Sequence, residues 1–168
     1  MKKKLFAVLL AGVLALGLVA CGPSIKEGTI GQLMKTKFFS FTVQSAQVVT
    51  RKDYTPEEGN KLVDIVIEAT NTYETELPML DMDFNIWLGG REAGDDFMDD
   101  MYFPLDPLDD TFAPIEYTLN IGEGRTYHYL YEIPEDVTEF ELMHFEQFQD
   151  AEGNVSTGDA HFVVVTVG

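Results

Sequence analysis

One segment of this 168-residue chain concentrates the side chains that could bind a metal ion. Four aspartates lie close together there, and their carboxylates are the hard oxygen ligands that Ca²⁺ prefers: Asp95, Asp96, Asp99 and Asp100. Neighbouring carboxylates repel one another, and a bound divalent cation would relieve that repulsion. A solvated acidic loop accounts for the same pattern without a metal. Calcium is therefore the alternative expectation for these four residues, and the solvated loop is the simpler one.

Large apolar side chains are interleaved with the same aspartates. They are Phe97, Met98, Met101, Tyr102 and Phe103. Apolar anchors within a polar rim are typical of protein-binding surfaces, so these residues are candidates for contact with a partner. The same side chains could instead close one end of a folded domain. The sequence leaves both interpretations open.

The sequence contains no convincing catalytic constellation. His128, His144 and His161 each stand alone on a predicted strand, without metal-ligand spacing. No serine lies in a nucleophile-elbow context. An EF-hand spacing that begins at Asp81 fails, because Ile86 stands where the loop needs glycine. A carboxylate pair for glycoside hydrolysis could be drawn from the many acids, but abundance does not define a site. We expect a protein that is not an enzyme.

The first 21 residues predict export and lipid anchoring. Three lysines (Lys2 to Lys4) precede an apolar run of about 14 residues, whereas a membrane-spanning helix needs roughly 20. The run ends in Leu18-Val19-Ala20-Cys21, which resembles the lipobox of bacterial lipoproteins. That resemblance implies a diacylglyceryl group on the Cys21 sulfur and cleavage before Cys21. The protein would then lie on the outer face of the cell membrane, in a Gram-positive cell.

Charge excludes nucleic acid as a partner. Without residues 1–20 the chain has 8 basic and 29 acidic side chains, a formal net charge of −21. Residues 22–61 hold six of the basic side chains and only four acidic ones. Nucleic-acid phosphates need a basic surface, which the rest of the chain lacks. Cys21 is the only cysteine, so no disulfide can form within the chain.

Hydrophobic periodicity predicts a fold made of strands. Residues 21–36, rich in glycine, appear as the lipidated cysteine and a tether, and residues 37–168 as one domain. Period-two alternation runs through 39–43, 61–71, 127–133 and 161–167. A slip of phase after Val43 indicates a β-bulge. About seven short strands separated by turn residues predict an all-β fold, an antiparallel β-sandwich behind a cleaved signal peptide.

Several of these strand and turn segments resemble a known family. They are Phe41-Thr42-Val43-Gln44-Ser45-Ala46, residues 62–71, Leu119-Asn120-Ile121-Gly122-Glu123-Gly124, residues 129–134 and Phe140-Glu141-Leu142. The stretch from about 28 to 167 resembles the immunoglobulin-like domain of unknown function of Gram-positive surface lipoproteins, sometimes labelled telomeric-repeat-binding-factor-like. Its fold is similar to that of the secreted mycobacterial immunoprotective antigen. The resemblance implies an immunoglobulin-like sandwich without a catalytic motif, and the acidic segment 89–114 departs from it.

Together these patterns predict a lipid-anchored extracytoplasmic binding or protein-interaction module without enzymatic activity. The expected partners are the membrane, through the lipid on Cys21, and an envelope or extracellular protein. The alternative is a calcium-stabilised adhesion or sensing module that uses the acidic segment 95–110.

Overall fold

The computed structural model describes residues 24–88, 101–149 and 155–168 of the chain. In these ranges the chain is all-β, with one short 3-10 helix at Asp81–Asp83. The strands in chain order are β1 Ile25–Thr29, β2 Met34–Lys35, β3 Phe39–Val49, β4 Asn60–Asn71, β5 Leu77–Leu80, β6 Asn85–Trp87, β7 Met101–Tyr102, β8 Glu116–Leu119, β9 Gly124–Pro134, β10 Glu139–Gln149 and β11 Val155–Thr166.

The strands form two large sheets and one small one. Strand order is β1-β11-β10-β6-β7 in the first sheet, β2-β3-β4-β9 in the second and β5-β8 in the third. One hydrophobic core unites buried side chains of all three sheets, so the predicted sandwich is confirmed. The described strands outnumber the seven expected, and β1 pairs with β11 in parallel. The extra strands have only two to five residues, too few for alternation to reveal them.

Alternation along β4 and β9 sets which residues enter the core. On β4 the side chains of Val63, Ile65 and Ile67 are fully buried, as their period-two spacing predicts. The phase slip in β3 corresponds to a register shift between Val43 and Ser45 opposite β4, which confirms the predicted bulge.

The segment expected to be a tether belongs largely to the sandwich. The backbone of β1 pairs with β11 from Ile25, and β2 pairs with β3. The prediction of a tether up to residue 36 is therefore wrong from Ile25 onward. Four of the five β1 side chains are exposed, so the strand is held by backbone hydrogen bonds and shows no apolar alternation.

Phe84, between the 3-10 helix and β6, lies at the centre of an aromatic cluster in the core. Its ring is 0% exposed and lies 5.1 Å from Phe41, 5.5 Å from Tyr129 and 5.8 Å from His144, measured between ring centroids. The Tyr131 hydroxyl donates a hydrogen bond to the Phe84 carbonyl oxygen at 2.9 Å. These contacts pack Phe84, and with it the end of the 3-10 helix, against side chains of both large sheets.

Candidate ligand-binding groove

A groove with a cavity volume of about 470 Å³ lies where β3, β5, the 3-10 helix and β10 meet. Phe38, Tyr73, Met79 and Met82 supply apolar side chains to its wall. Pockets of this size lined by aromatic and aliphatic groups, with a few polar groups among them, are the usual form of a small-ligand site. We refer to this cavity as the groove.

Asn71, at the end of β4, holds the loop that carries Tyr73. Its side-chain amide donates to the carbonyl oxygens of Thr75 at 2.8 Å and Leu119 at 3.0 Å, and its oxygen accepts from the Tyr73 amide at 2.8 Å. The Tyr73 ring then meets the Phe38 ring edge to face, with 5.0 Å between centroids. Because a buried asparagine satisfies three backbone groups, the aromatic wall of the groove is preformed.

The groove is acidic. Glu76, Asp83 and Glu146 line it, and its described lining includes no lysine or arginine, although the Lys37 ammonium lies 5.8 Å from the centroid of the Phe38 ring. The lining also contains Tyr73 and His144, and burial lowers the pKa of His144 to about 4, so its ring is neutral at pH 7. An apolar cavity with carboxylates and no basic side chain favours a cationic group on an apolar stem.

Asp83 is the carboxylate whose ionisation the fold disfavours most clearly. Desolvation raises its pKa to about 6, and the charge of Asp81 adds to the effect. A hydrogen bond from the Leu80 amide to Asp83 Oδ2, 2.8 Å long, opposes the shift. Within the described residues Asp83 has no ion-pair partner. At neutral pH it is therefore a desolvated anion, which a bound cation would stabilise.

Replacing Asp83 with asparagine is expected to stabilise the fold at pH 7.5 by roughly 1–2 kcal/mol. The native carboxyl holds its proton up to about pH 6, so the native state loses stability relative to the unfolded chain as the pH rises from 4 to 6. Asparagine removes that penalty and still accepts the Leu80 hydrogen bond. Urea unfolding at pH 7.5 and pH 4 measures the effect, which should vanish at pH 4.

The matched control is Asp136→Asn, since Asp136 is an exposed carboxylate on the turn before β10. That substitution should change the free energy of unfolding by less than about 0.5 kcal/mol. If Asp83→Asn is no more stable than the wild type at pH 7.5, the desolvation of Asp83 is contradicted.

Glu146 lies at the inner end of the groove, on β10 opposite a bulge in β11. Between the pairs Phe145–Ala160 and Gln147–Thr157, Glu146 alone stands opposite Gly158 and Asp159, and its side chain is buried. Its carboxylate accepts hydrogen bonds from the amides of Lys37 at 2.8 Å and Asp159 at 3.2 Å. Glu146 thus satisfies the backbone amide of Asp159 at the bulge and that of Lys37 in the turn between β2 and β3.

Two buried histidines flank this carboxylate. His144 and His161 are directly paired across β10 and β11, with 6.0 Å between ring centroids. His161 Nε2 donates to Glu146 Oε1 at 3.3 Å, and His144 Nδ1 donates to the Asp83 carbonyl oxygen at 2.9 Å. The His161 Nδ1 atom is buried without a hydrogen-bond partner. This cluster links the base of the groove to the core.

The sequence-predicted site residues that the structure describes, Met101, Tyr102 and Phe103, do not line the groove. Met101 packs in a minor core cluster with Trp87 and Phe162, and Tyr102 packs against the main core. Of the proposed partner-contacting side chains in the described ranges, only Phe103 is largely exposed, at 43%. Met101 and Tyr102 thus help to cover the core. Cys21, Phe97, Met98 and the candidate calcium ligands Asp95, Asp96, Asp99 and Asp100 lie outside the described residues.

Sequence analysis considered Asp83 only within the rejected EF-hand spacing and treated His144 and His161 as isolated residues, and it did not single out Glu146. A usable signal was the spacing His144-Phe145-Glu146, which puts two polar side chains on the core face of a strand. Over the described ranges, no cluster of histidine, cysteine or carboxylate groups is arranged to hold a metal ion. The same ranges contain no helix long and apolar enough to span a membrane.

No protein-family model and no curated protein sequence matches the chain. Solved structures resemble it in fold. The secreted protein MPT63 of Mycobacterium tuberculosis superposes with a TM-score of 0.54 at 10% identity, over 88% of this chain and 99% of that chain. A candidate lipoprotein of Staphylococcus aureus superposes with a TM-score of 0.51 at 14% identity, over 80% of this chain and 88% of that chain.

A third structure is longer than this chain. The candidate lipoprotein ycdA of Bacillus subtilis gives a TM-score of 0.53 at 15% identity, over 80% of this chain. The match spans 38% of the length of the Bacillus subtilis protein. At these identities the likeness concerns the fold: the chain is a β-sandwich similar to those of secreted proteins and candidate lipoproteins.

Proposed function

We propose that this chain is a lipid-anchored binding module on the outer face of the cell membrane and that it catalyses no reaction. Its sandwich is of the immunoglobulin-like kind. The groove binds a ligand that carries an amine or guanidinium group on an apolar stem, such as a basic side chain of an envelope or extracellular protein.

The observation that supports this most directly is the desolvated Asp83 carboxylate in an apolar groove. A hydrophobic stem would contact Phe38, Tyr73 and Met79, and a cationic end would meet the carboxylate. A charge-assisted hydrogen bond in such a site is stronger than one in water, because the surroundings are less polarisable. The cost of keeping Asp83 ionised without a partner is then offset only in the complex.

Binding fits the site better than catalysis does. The carboxylate of Glu146 already accepts two backbone amides and His161 Nε2. The His144 ring is buried and donates to a backbone carbonyl oxygen. These groups are held by structural hydrogen bonds, whereas general acid–base catalysis needs a group free to exchange a proton with a substrate.

Two observations support the location. The segment ending in Ala20-Cys21 has the form of a lipoprotein signal peptide. Structures similar in fold come from a secreted protein and from candidate lipoproteins.

The groove can be tested with a charged and an uncharged probe of equal shape. Phenethylamine and 2-phenylethanol would each be titrated into ¹⁵N-labelled chain beginning at residue 22, which retains every described strand, with amide shifts followed by NMR at pH 7.5. We expect the amine to shift amides around Tyr73, Met79 and Asp83 and to bind at least about fivefold more tightly than the alcohol.

Asp83→Asn should remove the preference for the amine and leave binding of the alcohol unchanged, and Asp136→Asn should alter neither. Lowering the pH to 5 should weaken the amine in the wild type, since Asp83 is then protonated. Equal binding of both probes, or shifts confined to another face, would contradict the groove as a cation-binding site.

A further inference from the structure

The N-terminal edge of the sandwich, formed by β1, β2 and the turn between them, combines exposed apolar side chains with lysines. Ile25, Ile30 and Leu33 are 57%, 37% and 54% exposed. Ile25, Lys26, Leu33 and Lys35 surround one shallow depression, so these apolar and basic side chains form a continuous surface. Residues 24–37 constitute this N-terminal edge.

The chain is fixed to the sandwich immediately after the predicted lipid anchor. The Ser24 amide donates to Asp159 Oδ1 at 2.9 Å, and the Ala160 amide donates to the Ser24 carbonyl oxygen at 3.0 Å. Only Gly22 and Pro23 separate Ser24 from Cys21. Three residues span at most about 11 Å. A lipid on Cys21 would therefore hold Ser24 within about one strand length of the bilayer surface.

The charge of the N-terminal edge is opposite to that of the rest of the protein. Residues 24–37 hold three lysines against one acidic side chain, Glu27. Residues 38–168 hold five basic side chains against 28 acidic ones. Lys26 pairs with Asp159 at 3.7 Å, and the two side chains are 51% and 35% exposed, so that pair is weak. An anionic bilayer would attract this edge and repel the remainder of the surface.

We propose that the N-terminal edge lies against the bilayer, with Ile25, Ile30 and Leu33 at the level of the lipid headgroups and the lysines beside anionic phosphates. The proposal rests on the lipid anchoring of Cys21. It orients the domain: the edge formed by β1 and β2 faces the membrane, and the acidic surface faces outward, where partners approach. The link from Ser24 to Cys21 is short, as contact between this edge and the bilayer requires. Contact with a second copy of the chain or with a soluble partner would not require a short link.

The test uses the full lipidated chain reconstituted in vesicles of phosphatidylcholine with phosphatidylglycerol. Because lipidation occupies the Cys21 sulfur, a cysteine introduced by Leu33→Cys can be labelled selectively with the fluorophore NBD. Val48→Cys is the matched control. Val48 is also apolar and 41% exposed, and it lies seven residues along β3 from Phe41, the partner of Met34. That separation is about 23 Å.

We expect NBD at position 33 to emit at shorter wavelength and to be quenched by spin-labelled lipid, and NBD at position 48 to show neither effect. Replacing Lys26, Lys35 and Lys37 with glutamine should shift the emission at position 33 towards that in water. The equilibrium constant for contact between this edge and the bilayer should fall by about fivefold per lysine. Equal emission and equal quenching at positions 33 and 48 in vesicle-bound protein would overturn the proposal.

Two further outcomes are distinguishable. If NBD at position 33 is shielded in the Cys21→Ala chain without vesicles, the edge is an interface between copies of this chain, and the membrane contact is wrong. If mass spectrometry shows no diacylglyceryl group on Cys21, the proposed anchoring fails together with the orientation. Binding of phenethylamine in the groove is independent of both results.

Discussion

Replacing Phe84 with alanine is expected to lower the free energy of unfolding by about 3–5 kcal/mol. The Phe84 ring is fully buried and contacts Phe41 and Tyr129 of one large sheet and His144 of the other. Its removal would leave a cavity that rigid strands on both sides cannot fill. The effect should extend to ligand binding, because Phe84 follows the 3-10 helix that carries Asp83. Urea unfolding followed by near-ultraviolet circular dichroism measures the loss.

Phe103→Ala is the matched control for this substitution. Phe103 was a candidate for partner contact and is 43% exposed, so its truncation should change stability by less than about 0.5 kcal/mol. A comparable loss in both variants would show that the aromatic cluster around Phe84 does not hold the two sheets together.

Acidification from about pH 7 to pH 4 is expected to destabilise the fold through His144. Burial lowers the pKa of His144 to about 4, whereas the same side chain in the unfolded chain titrates near 6.5. Between these values the unfolded state binds more protons, so stability falls as the pH decreases through that range. The shift corresponds to about 3 kcal/mol at most. Asp83 acts in the opposite direction, because the fold becomes more stable when the Asp83 carboxylate takes up a proton below about pH 6.

The two titrations can be separated with variants. In Asp83→Asn the stabilising contribution of the aspartate is absent, so the loss between pH 7 and pH 4 should be larger than in the wild type, by about 2 kcal/mol. Adding His144→Asn should remove most of that pH dependence. The asparagine amide can occupy the position of Nδ1 and keep the hydrogen bond to the Asp83 carbonyl oxygen. Glu146 and His161 are present in all three proteins and contribute a common background.

Urea unfolding at pH 7, 5.5 and 4 gives the three curves. If the free energy of unfolding depends on pH equally in Asp83→Asn and in Asp83→Asn with His144→Asn, the role of His144 is contradicted. That result would direct attention to the neighbouring carboxylates, Asp81 and Glu146, as the source of any acid sensitivity.

Hydrophobic alternation was enough to predict the long strands and the faces that they turn to the core. Alternation in β3, β4 and β9 depends only on which residues are apolar, and burial of one face follows from the hydrophobic effect. The β3 bulge was equally visible, because one extra residue reverses the phase of the apolar side chains after Val43. Short strands such as β1 could not be predicted, since backbone pairing with β11 holds them and most of their side chains are exposed.

Which residues line the groove depends on tertiary contacts that the sequence pattern does not show. Strand pairing continued unchanged from Gln149 opposite Val155 would put His144 opposite Ala160. The extra residue of β11 opposite Glu146 shifts that register by one, so His144 and His161 face each other. In the same way, the chain has 29 acidic side chains and nothing in their spacing distinguishes Asp83. Its raised pKa comes from neighbours brought together by folding, because desolvation depends on the surrounding atoms and not on sequence position.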